Sequence, residues 1–427
     1  MNRLTTMYVR SMSNVVEDAP GWFTRALAAP VETGSVEVEG ASVHFRAWGP
    51  AGPGIVLIHG GAAHSRWWDH IAPQFAEGRR VVALDLTGHG DSDTRDAYAM
   101  SQWAREVLAA AEAGGIDGKP ILVGHSMGGI VSFVASHLHG ELLDGVVIID
   151  SPLKARTPEE EAARRQNAFG PKKVYPTRED AMGRFRFVPP QDSGLPAVRD
   201  HVAATSMEEV EGGWSWKFDP NFFLRVGAED VLDSEPRCRV AYFRAENGIV
   251  SDRLMEHMRG LFGTEVIVAE IPEAGHHVMI DQPLQLVTGV RTVLIEAALK
   301  LWHTMIETGD LSALPTIVAP DAQFRSPTGF KPYQSADAVV LILNTVIQVF
   351  ENFEYHLQFA GANGRQVVLE FSANIGDKSL KGIDMVEFDE DGKIVDFEVM
   401  VRPASGLAAL AAEMGKRLGQ TLPTYKA

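Results

Sequence analysis

A serine stands among glycines in the stretch PILVGHSMGGIVS, Pro120 to Ser132. An apolar run enters Gly124, Ser126 follows two residues on, and Gly128 and Gly129 lead into a second apolar run. A strand, a Gly-x-Ser-x-Gly turn and a helix would lift the Ser126 hydroxyl to the carboxyl edge of a sheet, at the amino end of the helix. Backbone N–H groups and the helix dipole at that point favour developing negative charge. That position suits a nucleophile. The alternative is a packing turn with an incidental serine, and the flanking glycines in a strand–helix context argue against it.

A serine hydroxyl needs a base, and the base needs an orienting acid. His276 directly follows the apolar run VIVAEIP, in IPEAGHH, with His277 as second choice; a packing histidine is the alternative for either. An oxyanion would need backbone donors near the nucleophile. Met127 N–H, next to Ser126, is one candidate; Gly61 or Ala62, in the loop after IVLIHG, supplies the other. His59 is expected to brace that loop. His64, Arg66, Trp67 and Trp68 are candidates for the pocket mouth, and packing is an equal reading for the tryptophans. No HxxxH or HxHxDH pattern occurs, so no metal site is expected.

The elements that must position these groups follow a regular rhythm. GIVLIHG precedes the helical pattern WWDHIAPQFAEG, VVALDL precedes MSQWAREVLAAAEAGG, PILVG precedes MGGIVSFVASHLHG, and GVVIID follows. Continuous Val/Ile/Leu strands between amphipathic helices predict a parallel sheet covered on both faces, an α/β architecture. The alternation stops over about 153–235, a polar Arg- and Pro-bearing stretch that reads as an inserted cap. It resumes with RVAYFRAE and TEVIVAEIP, and a helix from Pro283 is expected to close the unit near Ala297. Residues 1–34 form a lead-in, 35–297 the first domain, and 298–427 a second. In the second, two helical stretches precede four runs of strand character, with GANG and DEDG as hairpin signals, which is an α+β order.

Composition bounds the partners. The chain has 427 residues, enough for two cores, and is 45% hydrophobic. Its net charge of −17 repels phosphate backbones and anionic lipid, so nucleic acid and membrane surfaces are not expected partners. A single cysteine, Cys238, allows no internal disulfide. No apolar run is long enough to span a bilayer, and the first residues lack the apolar core of a secretory leader. The cytoplasm is the expected compartment.

HGGAAH, DLTGHGDS, GHSMGG, VVIIDSP and EAGHH, in that order, resemble the α/β-hydrolase superfamily over about Ser35 to Ala297. The resemblance implies an eight-stranded sheet, a helical cap, no cofactor and a small-molecule substrate, with carboxylic ester hydrolysis as the first choice. Serine at the elbow argues against the haloalkane dehalogenase and epoxide hydrolase branches. C–C bond hydrolysis of a diketone-type compound and a non-catalytic binding scaffold are the alternatives. Many members carry the acid after the next-to-last strand, where FRAENGIVSD here has Gly248. Some esterases of the family place it one strand earlier, and Asp150 fits that position, with Glu246 and Asp252 as runners-up. Asp85 and Asp91 are expected to hold the loop after their strand. In the cap, Phe187, Trp214, Trp216, Phe222 and Phe223 offer apolar surface for a substrate. Arg184, Arg186 and Lys217 could meet a carboxylate, or be solvated charge.

IETGDLSALPTIVAPDAQFRSPTG and GIDMVEFDEDGKIVDF resemble the ketosteroid-isomerase-like cone fold, also called SnoaL-like and shared with nuclear transport factor 2. By that resemblance Asp384 matches a hydrogen-bond-donating aspartate, but Trp302 stands at the tyrosine position and Ser326 at that of the base. A binding or dimerisation module is therefore expected, with homodimerisation through this domain. Chemistry by Asp384 with His303 is the lesser alternative.

Overall fold

The structure, a computed structural model, describes residues 5–6, 19–76, 78–154, 171–191, 194–226, 235–262, 266–360, 365–389 and 392–419. It divides into two compact units, Met1–Val287 and Thr288–Ala427. The division falls inside a single helix, Pro283–Thr308, which runs on past the Ala297 stop expected from sequence. No proline or glycine between Thr288 and Thr308 interrupts the helix except Gly289, near its start.

The first unit is built on a nine-stranded mixed sheet. Its strands are β1 Thr5–Thr6, β2 Glu32–Val38, β3 Ala41–Trp48, β4 Gly54–Ile58, β5 Arg80–Leu84, β6 Ile121–His125, β7 Gly145–Ile149, β10 Val240–Asn247 and β11 Ile267–Gly275. They lie in the order β1-β2-β3-β5-β4-β6-β7-β10-β11. From β5 to β11 every pairing is parallel, while β1 to β3 form an antiparallel edge. The parallel strands are the continuous apolar runs: β5 and β7 are buried at every residue. Burial on both faces demands that composition, because neither side meets water. The order reverses around β4, with β5 on one side and β6 on the other, and this is where open α/β sheets bind ligands.

Between β4 and β5 the expected helix is replaced by two short 3₁₀ turns, Ser65–Trp68 and Ala72–Phe75. Pro73 sits inside the second and lacks the N–H that a continuous α-helix would need. The described part of the cap contains helices Arg178–Met182 and Pro196–Thr205, a hairpin of β8 Met207–Val210 with β9 Gly213–Trp216, and the turn of helix Phe222–Arg225. Residues 155–170 and 227–234 of the expected cap lie outside the described residues. No helix among the described residues is long and apolar enough to cross a membrane.

The second unit carries a six-stranded sheet in the order β13-β12-β17-β16-β15-β14. These strands are β12 Val318–Arg325, β13 Tyr333–Gln334, β14 Glu351–Ala360, β15 Gln366–Ile375, β16 Lys378–Phe388 and β17 Ile394–Arg402. Only β12 and β17 pair in parallel. The four long strands are those expected from sequence; GANG, and half of DEDG, lie outside the described residues. Three further elements were not expected, the short β13 among them. In β12 the exposed pair Pro320–Asp321 interrupts the apolar pattern and coincides with a register shift, which hides the strand. A final helix, Ala404–Leu418, contributes Leu410 and Leu418 to the core.

Candidate active site

The nucleophile candidate sits at a forced turn. Ser126 has φ +53 and ψ −115 and stands just before helix Met127–Leu138, a sparsely populated conformation for a residue with a side chain. Its neighbours must be glycine. A Cβ on Gly124 would fall 2.2 Å from the Gly128 carbonyl oxygen, and one on Gly128 would fall 2.4 Å from the Ile58 carbonyl oxygen. One on Gly129 would fall 2.0 Å from Ser151 Oγ. Strand, turn and helix are thus pressed together, and the turn is held by Ser126 N–H donating to the Ile149 carbonyl, 3.0 Å away.

Three side chains that are far apart in sequence meet there. His276 Nε2 lies 3.1 Å from Ser126 Oγ, and His276 Nδ1 lies 2.8 Å from Asp150 Oδ2. His276 is 4% exposed and Asp150 fully buried. Ser126 follows β6, Asp150 follows β7 and His276 follows β11, all at the carboxyl ends of parallel strands. Glu246 instead accepts the Glu273 N–H at 2.7 Å, and Asp252 pairs with Arg244 with its side chain 91% exposed. Neither reaches His276.

Gly248 has a positive reason to lack a side chain. A Cβ there would stand 2.4 Å from Asp150 Oδ2 and 2.5 Å from Oδ1. The carboxylate of Asp150 occupies the room that a side chain at 248 would need. It also accepts the N–H groups of Ala245, at 3.3 Å, and Ile249, at 3.0 Å, from the loop of that same glycine. Buried charge needs such donors. Tyr242 pins the chain just beyond Asp150: its hydroxyl donates to the Ser151 carbonyl at 2.9 Å and accepts the Ser151 N–H at 3.0 Å.

The imidazole is held through its backbone too. His125 Nε2 donates to the His276 carbonyl at 2.8 Å, and Gln191 Oε1 accepts the His277 N–H at 2.9 Å. Burial first, and then the neighbouring histidines, lower the His125 pKa, so its ring is neutral. His277, packed edge-on to Trp67 at 5.4 Å between ring centroids, is likewise lowered by burial to about 3. Ring nitrogens of His125, His276 and His277 lie within 4.8 Å of one another, a cluster that no sequence spacing announced. Two of those rings are committed: His276 to Ser126 and Asp150, and His125 to a carbonyl.

Met127 N–H is the first amide of its helix, where no intrahelical acceptor exists. In the facing loop it is Gly60 that packs on the nucleophile: a Cβ there would stand 3.2 Å from Ser126 Cβ. Gly61 faces Phe222 and Phe223, and Ala62 adopts φ +60. His59 braces the loop, its Nδ1 donating to the Gly60 carbonyl at 2.7 Å and its Nε2 accepting the Leu86 N–H at 3.0 Å. Asp85 does the same for its own loop, accepting N–H groups from Ser65 and Asp91. Asp91 pairs with Lys217.

Beside the loop lies a cavity of about 240 Å³, bounded by Gly61, Ala62, Trp67, Trp216 and His277 together with cap residues including Arg184 and Arg186. His64, whose Nε2 lies 2.9 Å from Ser206 Oγ, also lines it and is lowered by burial to about 3. Trp68 is fully buried. Phe187 packs behind Trp67 at 5.8 Å. Trp214 does not line this cavity; the Arg178 guanidinium lies over its ring at 5.8 Å. Gly60, His125, Gln191 and Tyr242 are the supporting residues that sequence reasoning missed. Only Gly60 carried a signal, as the first of two glycines after a strand.

The second unit has its own cavity, about 310 Å³, lined by apolar and aromatic side chains with Asp384 and Tyr355 among them. Tyr355 donates to Asp384 Oδ2 at 2.6 Å, and Trp302 Nε1 donates to the Tyr355 hydroxyl at 3.1 Å. Burial pushes Asp384 up to about 7. His303 is engaged with Gln358 instead, at 3.2 Å, and Ser326 with Thr328 at 2.9 Å.

A strand–elbow–helix turn on a mixed sheet, with a cap at the sheet's carboxyl edge, is the arrangement of the α/β-hydrolase fold. Residues 55–289 match the alpha/beta hydrolase family and residues 299–397 match the SnoaL-like domain. The chain belongs to the alpha/beta hydrolase family, with a SnoaL-like domain after the hydrolase domain. It is similar to Esterase Rv0045c of Mycobacterium tuberculosis, 25% identical over 271 residues that cover 60% of this chain and 88% of that one. The solved structure of E-2-(acetamidomethylene)succinate hydrolase has the same fold, with a TM-score of 0.51 at 22% identity, covering 60% of this chain and 97% of that one. A steroid delta-isomerase from Pseudomonas aeruginosa is 59% identical across 30% of this chain and 95% of its own, with a TM-score of 0.30.

Proposed function

We propose that this hydrolase is a serine esterase acting on a small carboxylic ester, with Ser126, His276 and Asp150 as its catalytic triad. What carries the assignment is the unbroken line Ser126 Oγ to His276 Nε2 at 3.1 Å and His276 Nδ1 to Asp150 Oδ2 at 2.8 Å. Ser126 Oγ attacks the acyl carbon while its proton passes to His276 Nε2. Asp150 holds Nδ1–H and stabilises the imidazolium. The oxyanion is received by the N–H groups of Met127 and Gly61. Collapse breaks the ester C–O bond, the alcohol leaves with the proton from His276, and water repeats the sequence on the acyl-serine. The strained φ of Ser126 is the kind of local cost that persists where it presents a reacting group.

The SnoaL-like domain we assign to binding and pairing. Its cavity has an acid with a raised pKa but, among the described residues that line it, no second carboxylate or histidine to serve as base. Leu357, Phe359 and Met400 expose half or more of their surface on its sheet, as an apolar contact face would. Homodimerisation there, in the cytoplasm, completes the proposal. A fluorophosphonate probe and 4-nitrophenyl esters test the esterase assignment. Labelling at Ser126 with ester turnover is expected; turnover without labelling, or labelling elsewhere, contradicts it.

A further inference from the structure

The cavity bounded by Gly61, Ala62 and His277, residues of the loops next to the elbow, has a charge opposite to that of the molecule. The chain carries 56 acidic against 39 basic residues, for a net −17. Its lining nevertheless includes Lys172, Lys173, Arg184, Arg186 and Lys217 and, among the described residues, no aspartate or glutamate. The described lining thus opposes the acidic balance of the chain as a whole.

Not all five charges are spent. Lys172 is paired with Glu208 at 2.5 Å and Lys217 with Asp91. Arg186 donates to the carbonyl oxygens of Gly183 and Phe185, which are neutral, and has no ion pair among the described residues. Arg184 and Lys173 have no ion pair among the described residues. The two histidines of the lining, His64 and His277, are both depressed to about 3 and add no charge near neutrality. All five cations come from the cap segment, whereas Gly61, Ala62 and His277 come from the loops that surround the elbow. Between them the walls are aromatic: Trp67, Tyr175, Phe185, Trp216 and Phe218. A molecule filling this space therefore meets the loops next to the elbow, aromatic rings and the positive charge of the cap. At about 240 Å³ the space is smaller than the roughly 300 Å³ at which drug-sized pockets begin.

We propose that the substrate is a small anionic ester, a half-ester of a dicarboxylic acid in its simplest form, whose free carboxylate is held by Arg184 and Lys173 while Ser126 attacks the ester carbonyl. This rests on the esterase assignment above. Hydrolysis breaks the acyl C–O bond with water as co-reactant and releases an alcohol and a dicarboxylate. The same cations also bind that product, so product inhibition accompanies the preference.

Two measurements test this. The first compares kcat/KM for mono-4-nitrophenyl glutarate with that for 4-nitrophenyl pentanoate, which matches it in length and lacks the carboxylate. We expect the anionic ester to be preferred at least about tenfold, with the ratio falling as salt screens the collar. The double substitution Arg184→Gln/Lys173→Gln should lower the ratio about tenfold, through KM. A preference for the neutral ester, or an equal loss on both, overturns the inference and leaves the esterase assignment intact. The second titrates glutarate alone into the Ser126→Ala protein, where turnover plays no part. Binding that the double substitution abolishes is expected, and absence of binding overturns the inference whatever the reaction proves to be.

Discussion

Each of the two units holds a buried aspartate in its candidate site, Asp150 in the first and Asp384 in the second, and the two differ in what stands next to them. Asp150 accepts two backbone N–H groups and faces His276, which in turn faces a serine on a strained turn. Asp384 faces Tyr355, which is held by Trp302, and the chain of bonds ends there. The first is thus surrounded by backbone donors and lies in line with an imidazole. Burial without such donors raises the second to about 7, and no base lies beyond its partner among the described lining residues. A buried carboxyl group thus takes its role from the groups in line with it.

The difference can be broken at Ser126 first. Ser126→Ala should lower kcat by about 10⁶, the order seen when a serine-protease nucleophile is removed, while the melting temperature changes little. Substitutions of Asp384 should leave ester turnover where it is. Equal losses on both sides, measured with one 4-nitrophenyl ester, would erase the distinction between the units.

A smaller effect is expected at Gly248. The added Cβ of Gly248→Ala meets the Asp150 carboxylate at about 2.4 Å, so the acid must move. A displacement near 1 Å in such a site costs about 100-fold in rate. The loss should appear in kcat, with substrate KM nearly constant. An unaffected kcat would mean that the position of Asp150 does not matter.

The smallest expected effect is a slope. Asp384 has its pKa raised in the folded state to about 7, above the 3.8 of an unperturbed aspartate. The folded chain therefore keeps a proton that the unfolded chain releases between about pH 4 and 7. Stability from this group is full below that range, is lost as pH rises through it, and is constant above. Urea unfolding at pH 5, 6 and 8 should show a decline in the native protein that Asp384→Asn lacks. A decline of the same slope in both would assign it to other groups.

Much of the first unit could be read from residue order. Val/Ile/Leu runs with no polar interruption can only be strands buried on both faces, and three glycines around Ser126 have no use except close approach. What stayed hidden depends on contacts between distant segments. Gly248 was legible as a missing acid and Asp150 as its replacement, but not that the Asp150 carboxylate fills the room a side chain at 248 would need. Gln191 and Tyr242 act through backbone atoms of residues 86 and 91 positions away, and no periodicity marks them. Trp214 and Trp216 look alike in sequence, yet only the second lines the cavity. In the second unit, Pro320 and Asp321 broke the alternation that would have revealed β12.

In the proposed triad the acid after β7, and neither carboxylate near the next strand, orients His276. One comparison of kcat at a single pH reaches it directly: Asp150→Asn beside Glu246→Gln and Asp252→Asn. Loss of the corresponding group in a serine protease costs about 10⁴, and a fall of that order is predicted for Asp150→Asn alone, with the other two near the native value. A near-native Asp150→Asn beside a crippled Glu246→Gln would make Glu246, and not Asp150, the acid.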